Sequence, residues 1–167
     1  MQPLMSNQSH RHRPAVRRYR RTRGFTIVEL LLTLAILSIL VGVGYSSYGT
    51  VLERNRNAAV VNDLTRIKFA IERFRNVNDE LPEALADIGM DGMRDPWGNP
   101  YAYLNFDTVN GNGHKRKDHN LVPINTEYDL YSKGPDGRSA SPLTAAISKD
   151  DIIVANDGAY IGRASEY

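Results

Sequence analysis

One acid stands at the edge of an otherwise apolar stretch. Glu29 is followed from Leu30 to Leu52 by no formally charged residue and preceded by Arg11, Arg13, Arg17, Arg18, Arg20, Arg21 and Arg23. An unpaired carboxylate beside hydrocarbon is costly, so an acid in this position marks a site that must meet a partner. No proton-transfer partner is placed near it in the sequence, which argues against general acid–base chemistry. A second acidic constellation lies toward the C-terminus, where Lys133-Gly134-Pro135-Asp136-Gly137 is followed by Lys149-Asp150-Asp151. Two such loops, brought together, supply the carboxylate and carbonyl oxygens that a hard cation takes. The same residues also read as an Asp-Gly turn and a pair of solvated acids.

Other chemistries find little support. His114 and His119 sit in a polar stretch without cysteine, and the chain has no Cys at all, so neither a zinc site of the usual kind nor a disulfide is expected. The serines of residues 132–148 have no His in a matching motif, and no Gly-rich loop has a phosphate-binding context. The chain reads as a non-enzyme. The formal net charge of +2 hides two opposite parts: residues 1–24 carry seven Arg and no acid, which leaves 14 basic against 19 acidic residues, or −5, for the rest. The basicity belongs to the first segment and is no nucleic-acid signature. The basic run His114-Lys115-Arg116-Lys117 reads as a solvated loop balanced by Asp118. Its alternative is a nucleic-acid-binding arm working with the tyrosines.

The elements that must position these residues are set by periodicity. A helix from about Phe25 through Leu52 is long enough to cross roughly 30 Å of hydrocarbon at about 1.5 Å per residue. The run exceeds the usual apolar core of a secretory signal, and no small-x-small cleavage site precedes a polar start. Beyond Tyr45 and Tyr48, apolar residues recur at Val60, Leu64, Ile67, Ile71 and Phe74, one helical face, with Asp63, Arg66, Lys68, Glu72 and Arg73 largely on the other. One long helix to Phe74 or Arg75 is expected. Two helices broken near Gly42–Gly44 are the alternative. Asn76 to Pro82 has turn composition, and Glu83 to Ile88 fits one short helical turn ending at Gly89, with Leu81, Leu85 and Ile88 inward. A strand with alternating Tyr101, Tyr103 and Asn105 and a second at Glu127–Tyr131 complete the reading.

Arg23-Gly24-Phe25-Thr26-Ile27-Val28-Glu29-Leu30 resembles the class III signal of type IV pilins and type II secretion pseudopilins. The resemblance implies a cleaved basic leader (residues 1–24) and a transmembrane helix (25–52). An amphipathic continuation (53–75) and a small α+β periplasmic domain (76–167) come after it. The implied fold is pilin-like: a long N-terminal helix, its first half transmembrane, packed against a small antiparallel sheet. Prepilin peptidase would cut between Gly24 and Phe25 and methylate the Phe25 amine, and Glu29 would serve assembly. The implied location is the inner membrane, single-pass, Arg-rich end in the cytoplasm. The implied partners are further copies in a filament, other pseudopilins and an inner-membrane assembly platform; no nucleic acid is expected.

Asp95-Pro96-Trp97-Gly98-Asn99-Pro100-Tyr101, Tyr128-Asp129-Leu130-Tyr131-Ser132 and Gly134-Pro135-Asp136-Gly137 look like the major pseudopilin of type II secretion systems. That likeness implies a calcium site with ligands at Asp136, Asp150 and Asp151 and backbone oxygens near Ser132 and Lys133. The chain departs from the pattern in its long Asn105–Thr126 segment and in the residues after Asp151. A type IV pilin or minor pilin-like subunit with an adhesive or DNA-binding role is the alternative.

The mature protein is expected to begin at Phe25, because Gly24 leaves the backbone beside the Arg-rich leader free of a side chain. Intact-mass measurement of membrane-derived protein should show loss of residues 1–24 and gain of one methyl group. A mature start beyond Ser38 would instead indicate a conventional secretory signal.

Overall fold

The computed structural model describes residues 24–167; residues 1–23, which make up all but the last residue of the expected leader, lie outside the described residues, and so do the side chains of Ser46 and Ser47. The chain forms two compact units, residues up to Val43 and from Gly44 to Tyr167. Helix α1 spans Ile27–Asn78. In the first unit its apolar side chains are exposed on every side, Ile27, Leu31, Leu34, Ile36, Leu37, Ile39 and Val41 among them. A helix apolar all round needs hydrocarbon or protein around it. By length and composition α1 is suited to cross a membrane.

In the second unit the amphipathic stretch behaves as its spacing requires. Val60, Leu64, Ile67 and Ile71 are fully buried, while Phe74, the last residue of the expected face, is only half-buried. The opposite face is less uniform than its composition suggests. Arg66 and Arg73 are exposed, but Asp63 is half-buried and accepts a 2.8 Å hydrogen bond from the Tyr101 hydroxyl. Lys68 pairs with Glu72 at 3.2 Å and lies against Gly158, which has φ +92°. The helix ends three residues later than expected. Asn78 donates to the Phe74 carbonyl at 2.9 Å, and Asp79 adopts a left-handed φ of 58°, a conformation that Asp tolerates better than most residues.

A short 3₁₀ turn at Leu85–Ile88 comes next, closed by Gly89 at φ +67°, with Leu85 buried and Leu81 and Ile88 packed on the core. Four strands then form one antiparallel sheet in sequence order: β1 Ala102–Asn105, β2 Tyr128–Ser132, β3 Ile152–Ala155 and β4 Tyr160–Arg163. The α+β class, with the long helix packed against a small antiparallel sheet, is the one the sequence implied. Strands β3 and β4 were not anticipated. All four residues of β3 are buried, and Asn156 and Asp157, at φ +52° and +53°, turn the chain into β4.

The sheet has two apolar faces. Leu130, Ile152 and Val154 meet Val60, Leu64, Ile67 and Ile71 of the helix, with Tyr101 and Leu85 at the margin. Alternation sends Ile153 and Ala155 to the other face, where Ile124, Leu143 and Ala164 cover them and Tyr131 and Tyr160 border them. That cover comes from the long segments between β1 and β2 and between β2 and β3, and from the C-terminus.

Replacing Ile67 by Ala should lower stability by about 2–5 kcal/mol, because it leaves a void between helix and sheet. Replacing Phe69, two residues on and 61% exposed, should change it by less than about 0.5 kcal/mol. Thermal unfolding of the detergent-solubilised chain measures both; equal losses would mean that the helix does not present this face to the sheet.

Candidate functional site

At the start of α1, Glu29 occupies the third helical position and Thr26 the cap. The Thr26 N–H and hydroxyl donate to Glu29 Oε2 at 2.9 and 3.0 Å, and the Glu29 N–H donates back to Thr26 Oγ1 at 3.2 Å. The first intrahelical bond, Leu30 N–H to the Thr26 carbonyl, measures 3.1 Å. This is a reciprocal capping box, which satisfies N–H groups that have no carbonyl partner in the first turn. Sequence reasoning singled out Glu29 for its charge and missed the cap, although Thr-x-x-Glu before an apolar run is the pattern that signals one. Gly24 and Phe25 precede the helix and are exposed, Phe25 by 82%. The Arg-rich residues before Gly24 lie outside the described residues.

The C-terminal loops are built around a residue assigned above to a solvated loop. Arg116 is 2% exposed, and its side chain is fixed on several sides. Nη2 donates to Asp151 Oδ2 at 2.6 Å, and Nη1 donates to the Ser139 hydroxyl and, at 2.9 Å, to the Ala140 carbonyl. The guanidinium stacks on Tyr131 at 4.3 Å from the ring centroid, a cation–π contact. The Arg116 N–H donates to Asp129 Oδ2 at 2.6 Å, and its carbonyl accepts from Ile124 N–H at 3.0 Å. Lys117 N–H bonds the Ser141 carbonyl and its own carbonyl accepts from Leu143, so the basic run is stitched to the β2–β3 connection. Lys115 lies over Phe106 at 4.4 Å. The solvated-loop reading is therefore corrected at Arg116, where tertiary pairing with Asp151 and Asp129 overrides local polarity; Lys115 and Lys117 are half-buried and His114 is exposed.

This geometry also decides where the residues implied as calcium ligands lie. Asp136 is exposed, its Oδ1 accepts from Arg138 N–H at 2.7 Å, and its own N–H reaches Asp150 Oδ2 at 3.4 Å. The 134–136 turn thus does meet the 150–151 segment, and Gly134, at φ +63°, sits so close to the Asp150 carbonyl that no Cβ would fit. Asp151 faces elsewhere: its Oδ2 is taken by Arg116 and by Ser139, whose hydroxyl lies 2.6 Å away. Ser132 turns its hydroxyl to Asp95 at 2.7 Å and accepts from Gly134 N–H at 3.1 Å, while Lys133 is half-buried. Among the described residues no three His, Asp or Glu side chains gather as metal ligands. Asp136 and Asp150 thus approach one another, while the Asp151 carboxylate is paired with the Arg116 guanidinium.

The turn at Asp95 forms one unit with that loop. Asp95 accepts from Trp97 N–H at 3.0 Å and Asn99 N–H at 2.8 Å, besides the Ser132 hydroxyl, and Asn99 Nδ2 donates to the Gly134 carbonyl at 2.8 Å. Asp95 and Asn99 from one stretch and Ser132 and Gly134 from another are thus directly bonded.

A family model, the prokaryotic N-terminal methylation motif, matches residues 19–45. No curated protein and no solved structure gives a significant match.

Burial pushes the Asp151 carboxyl up to about 6, against the lowering by Ser139 and Arg116. Burial likewise pushes Asp129 from 3.8 to about 6, against hydrogen bonds from Arg116 N–H and Asn125 and the positive charges of Arg116 and Lys115. A folded value above the unfolded one means that Asp129 stabilises the fold most below the unfolded value and loses that contribution as pH rises through about 6. Folding should therefore take up protons between these values. Asp129→Asn, which keeps an acceptor for the Arg116 N–H, should reduce the dependence of the unfolding midpoint on pH in that window. An unchanged slope would remove Asp129 as its source.

Proposed function

We propose that this chain is a structural subunit of a pilus-like filament, of the major pseudopilin kind, working in type II-type protein secretion across the outer membrane. The observation that carries the reading is the coincidence of the methylation motif at residues 19–45 with a helix that is apolar on all sides and whose one acid before Glu53 is Glu29. In this reading prepilin peptidase removes residues 1–24 and methylates Phe25. The helix holds the subunit in the inner membrane, with the C-terminal domain in the periplasm. Other pseudopilins and the assembly platform then draw it into the filament. The bonded unit of Asp95, Asn99, Ser132 and Gly134 supports the secretion-type assignment, since it joins the sequence stretches on which that likeness rests.

Assembly places a membrane-embedded carboxylate where it can meet a cation, and the amine of Phe25 on a neighbouring copy is the one this sequence supplies. Pairing offsets the desolvation of both groups. A DNA-binding pilin role gains nothing from Arg116, which is buried against Asp151 and has no free face for phosphate.

The test separates the charge of Glu29 from its cap. Glu29→Gln keeps a capping-box side chain without the charge, and Glu29→Ala removes both. Electron microscopy after overproduction should show filaments sharply reduced or absent for both variants, with membrane insertion intact. Normal filaments from Glu29→Gln would overturn the pairing with Phe25 and leave the carboxylate as a helix cap only.

A further inference from the structure

We propose that Arg116 holds the position in the C-terminal loops that a divalent cation would otherwise fill, so that this domain is fastened from within and is indifferent to calcium. This is a property of the domain itself, whether or not the chain assembles into filaments. A cation in such loops would tie the β2–β3 connection to the segment entering β3 and neutralise their carboxylates. Arg116 performs both tasks. Its guanidinium, donated by the β1–β2 connection, joins Ser139 and Ala140 to Asp151 and neutralises a carboxylate that is wholly buried. Its main chain adds bonds to Asp129 on β2 and to Ile124. One residue thus gathers three segments over the loop-covered face of the sheet.

The same arrangement works against a metal. A dication bound at Asp151 would lie within a few ångströms of a fixed guanidinium in a poorly solvated place, where like charges repel strongly. The remaining carboxylates, Asp136 and Asp150, are two where an all-protein calcium site draws on six to eight oxygens. The Gly134 carbonyl is already taken by Asn99. Among the described residues Asp151 Oδ1 and Arg116 Nε have no hydrogen-bond partner. Both atoms belong to the ion pair itself, which is joined at one point, Nη2 to Oδ2.

The experiment uses the full chain in detergent, stripped of metal, with unfolding followed by the fluorescence of Trp97. This residue is the protein's one Trp and belongs to the turn that bonds Ser132 and Gly134 through Asp95 and Asn99. The midpoint should be the same in millimolar calcium and in chelator. A rise of several degrees with calcium, abolished by Asp150→Ala, would overturn the proposal. Arg116→Met should lower the midpoint by roughly 10 °C or more, since it strands Asp151 as an unpaired buried charge. Arg116→Lys should recover only part, because an ammonium cannot span Asp151, Ser139 and Ala140 in one plane. The paired change Arg116→Met with Asp151→Leu should recover most of the loss. An unmoved midpoint in Arg116→Met would equally overturn it, and the calcium comparison on the unaltered chain decides the matter even where a variant fails to fold.

Discussion

The sheet of the C-terminal domain has two apolar faces and one helix with which to cover them. Everything else in this unit answers that shortage. The amphipathic half of α1 takes one face, and irregular segments must take the other, where Ile153 and Ala155 would otherwise meet water. Irregular backbone is a poor cover, because its N–H and C=O groups need partners wherever they are buried. The Arg116 environment supplies those partners along with the charge balance. Asp129 accepts a main-chain N–H, Ala140 offers its carbonyl to the guanidinium, and Ser148 both accepts from the Ala140 N–H and donates to its carbonyl, each at 2.9 Å.

The two covers differ in physical kind. Each of the four fully buried helix side chains contributes about 1.5–3 kcal/mol by leaving water. The Arg116–Asp151 pair has a small net effect against a well-packed apolar substitute, since both charges lose their hydration. Its weight lies in what happens when the loops are misplaced. Any arrangement that separates guanidinium from carboxylate leaves a buried charge without a partner, which is far costlier than the pair is favourable. The helix face therefore supplies most of the stability, and the ion pair restricts which arrangement of the loops that stability serves. Without a cysteine in the chain, no covalent link shares this task.

Legibility in the sequence divides along the same line. Periodicity of about 3.6 located Val60, Leu64, Ile67 and Ile71 because their burial depends on spacing within one element. The Leu85 turn was legible through Pro82 and Gly89, and β1 and β2 through tyrosine-rich runs. Strand β3 gives no alternation signal, because Ile152-Ile153-Val154 is buried on both faces. The Asn156-Asp157-Gly158 turn after this run was the available signal for a hairpin with β4. Arg116 could not have been found this way. Its partners Asp129, Ser139 and Asp151 lie 13, 23 and 35 residues away, so nothing in the local sequence distinguishes it from Lys115 and Lys117 beside it. The likeness to a calcium-binding family pointed to Asp151 as an acid in need of a cation, but it carried no hint of the guanidinium from the β1–β2 connection that pairs with it.

The start of α1 presents the complementary problem, a polar group where almost all else is apolar. In the first turn of any helix the leading N–H groups lack carbonyl partners, and close to hydrocarbon water is a scarce substitute. Thr26 and Glu29 meet that need together, the hydroxyl accepting from one end of the turn and the carboxylate from the other. Gln would serve as well for capping alone, so the cap does not explain why a full negative charge stands here. The charge needs a cation, and among the described residues between Gly24 and Leu52 there is none on a side chain. Removal of the leader would create one, the free amine of Phe25. Within the same chain this amine would lie next to the cap, where Glu29 is already engaged with Thr26; in the filament proposed above, that of an adjacent chain would approach from outside. One carboxylate has two lone-pair-bearing oxygens and Oε2 alone takes both Thr26 contacts. Among the described residues no hydrogen bond engages Oε1, so in the filament proposed above capping the helix and pairing with a neighbour would not compete for the same atom.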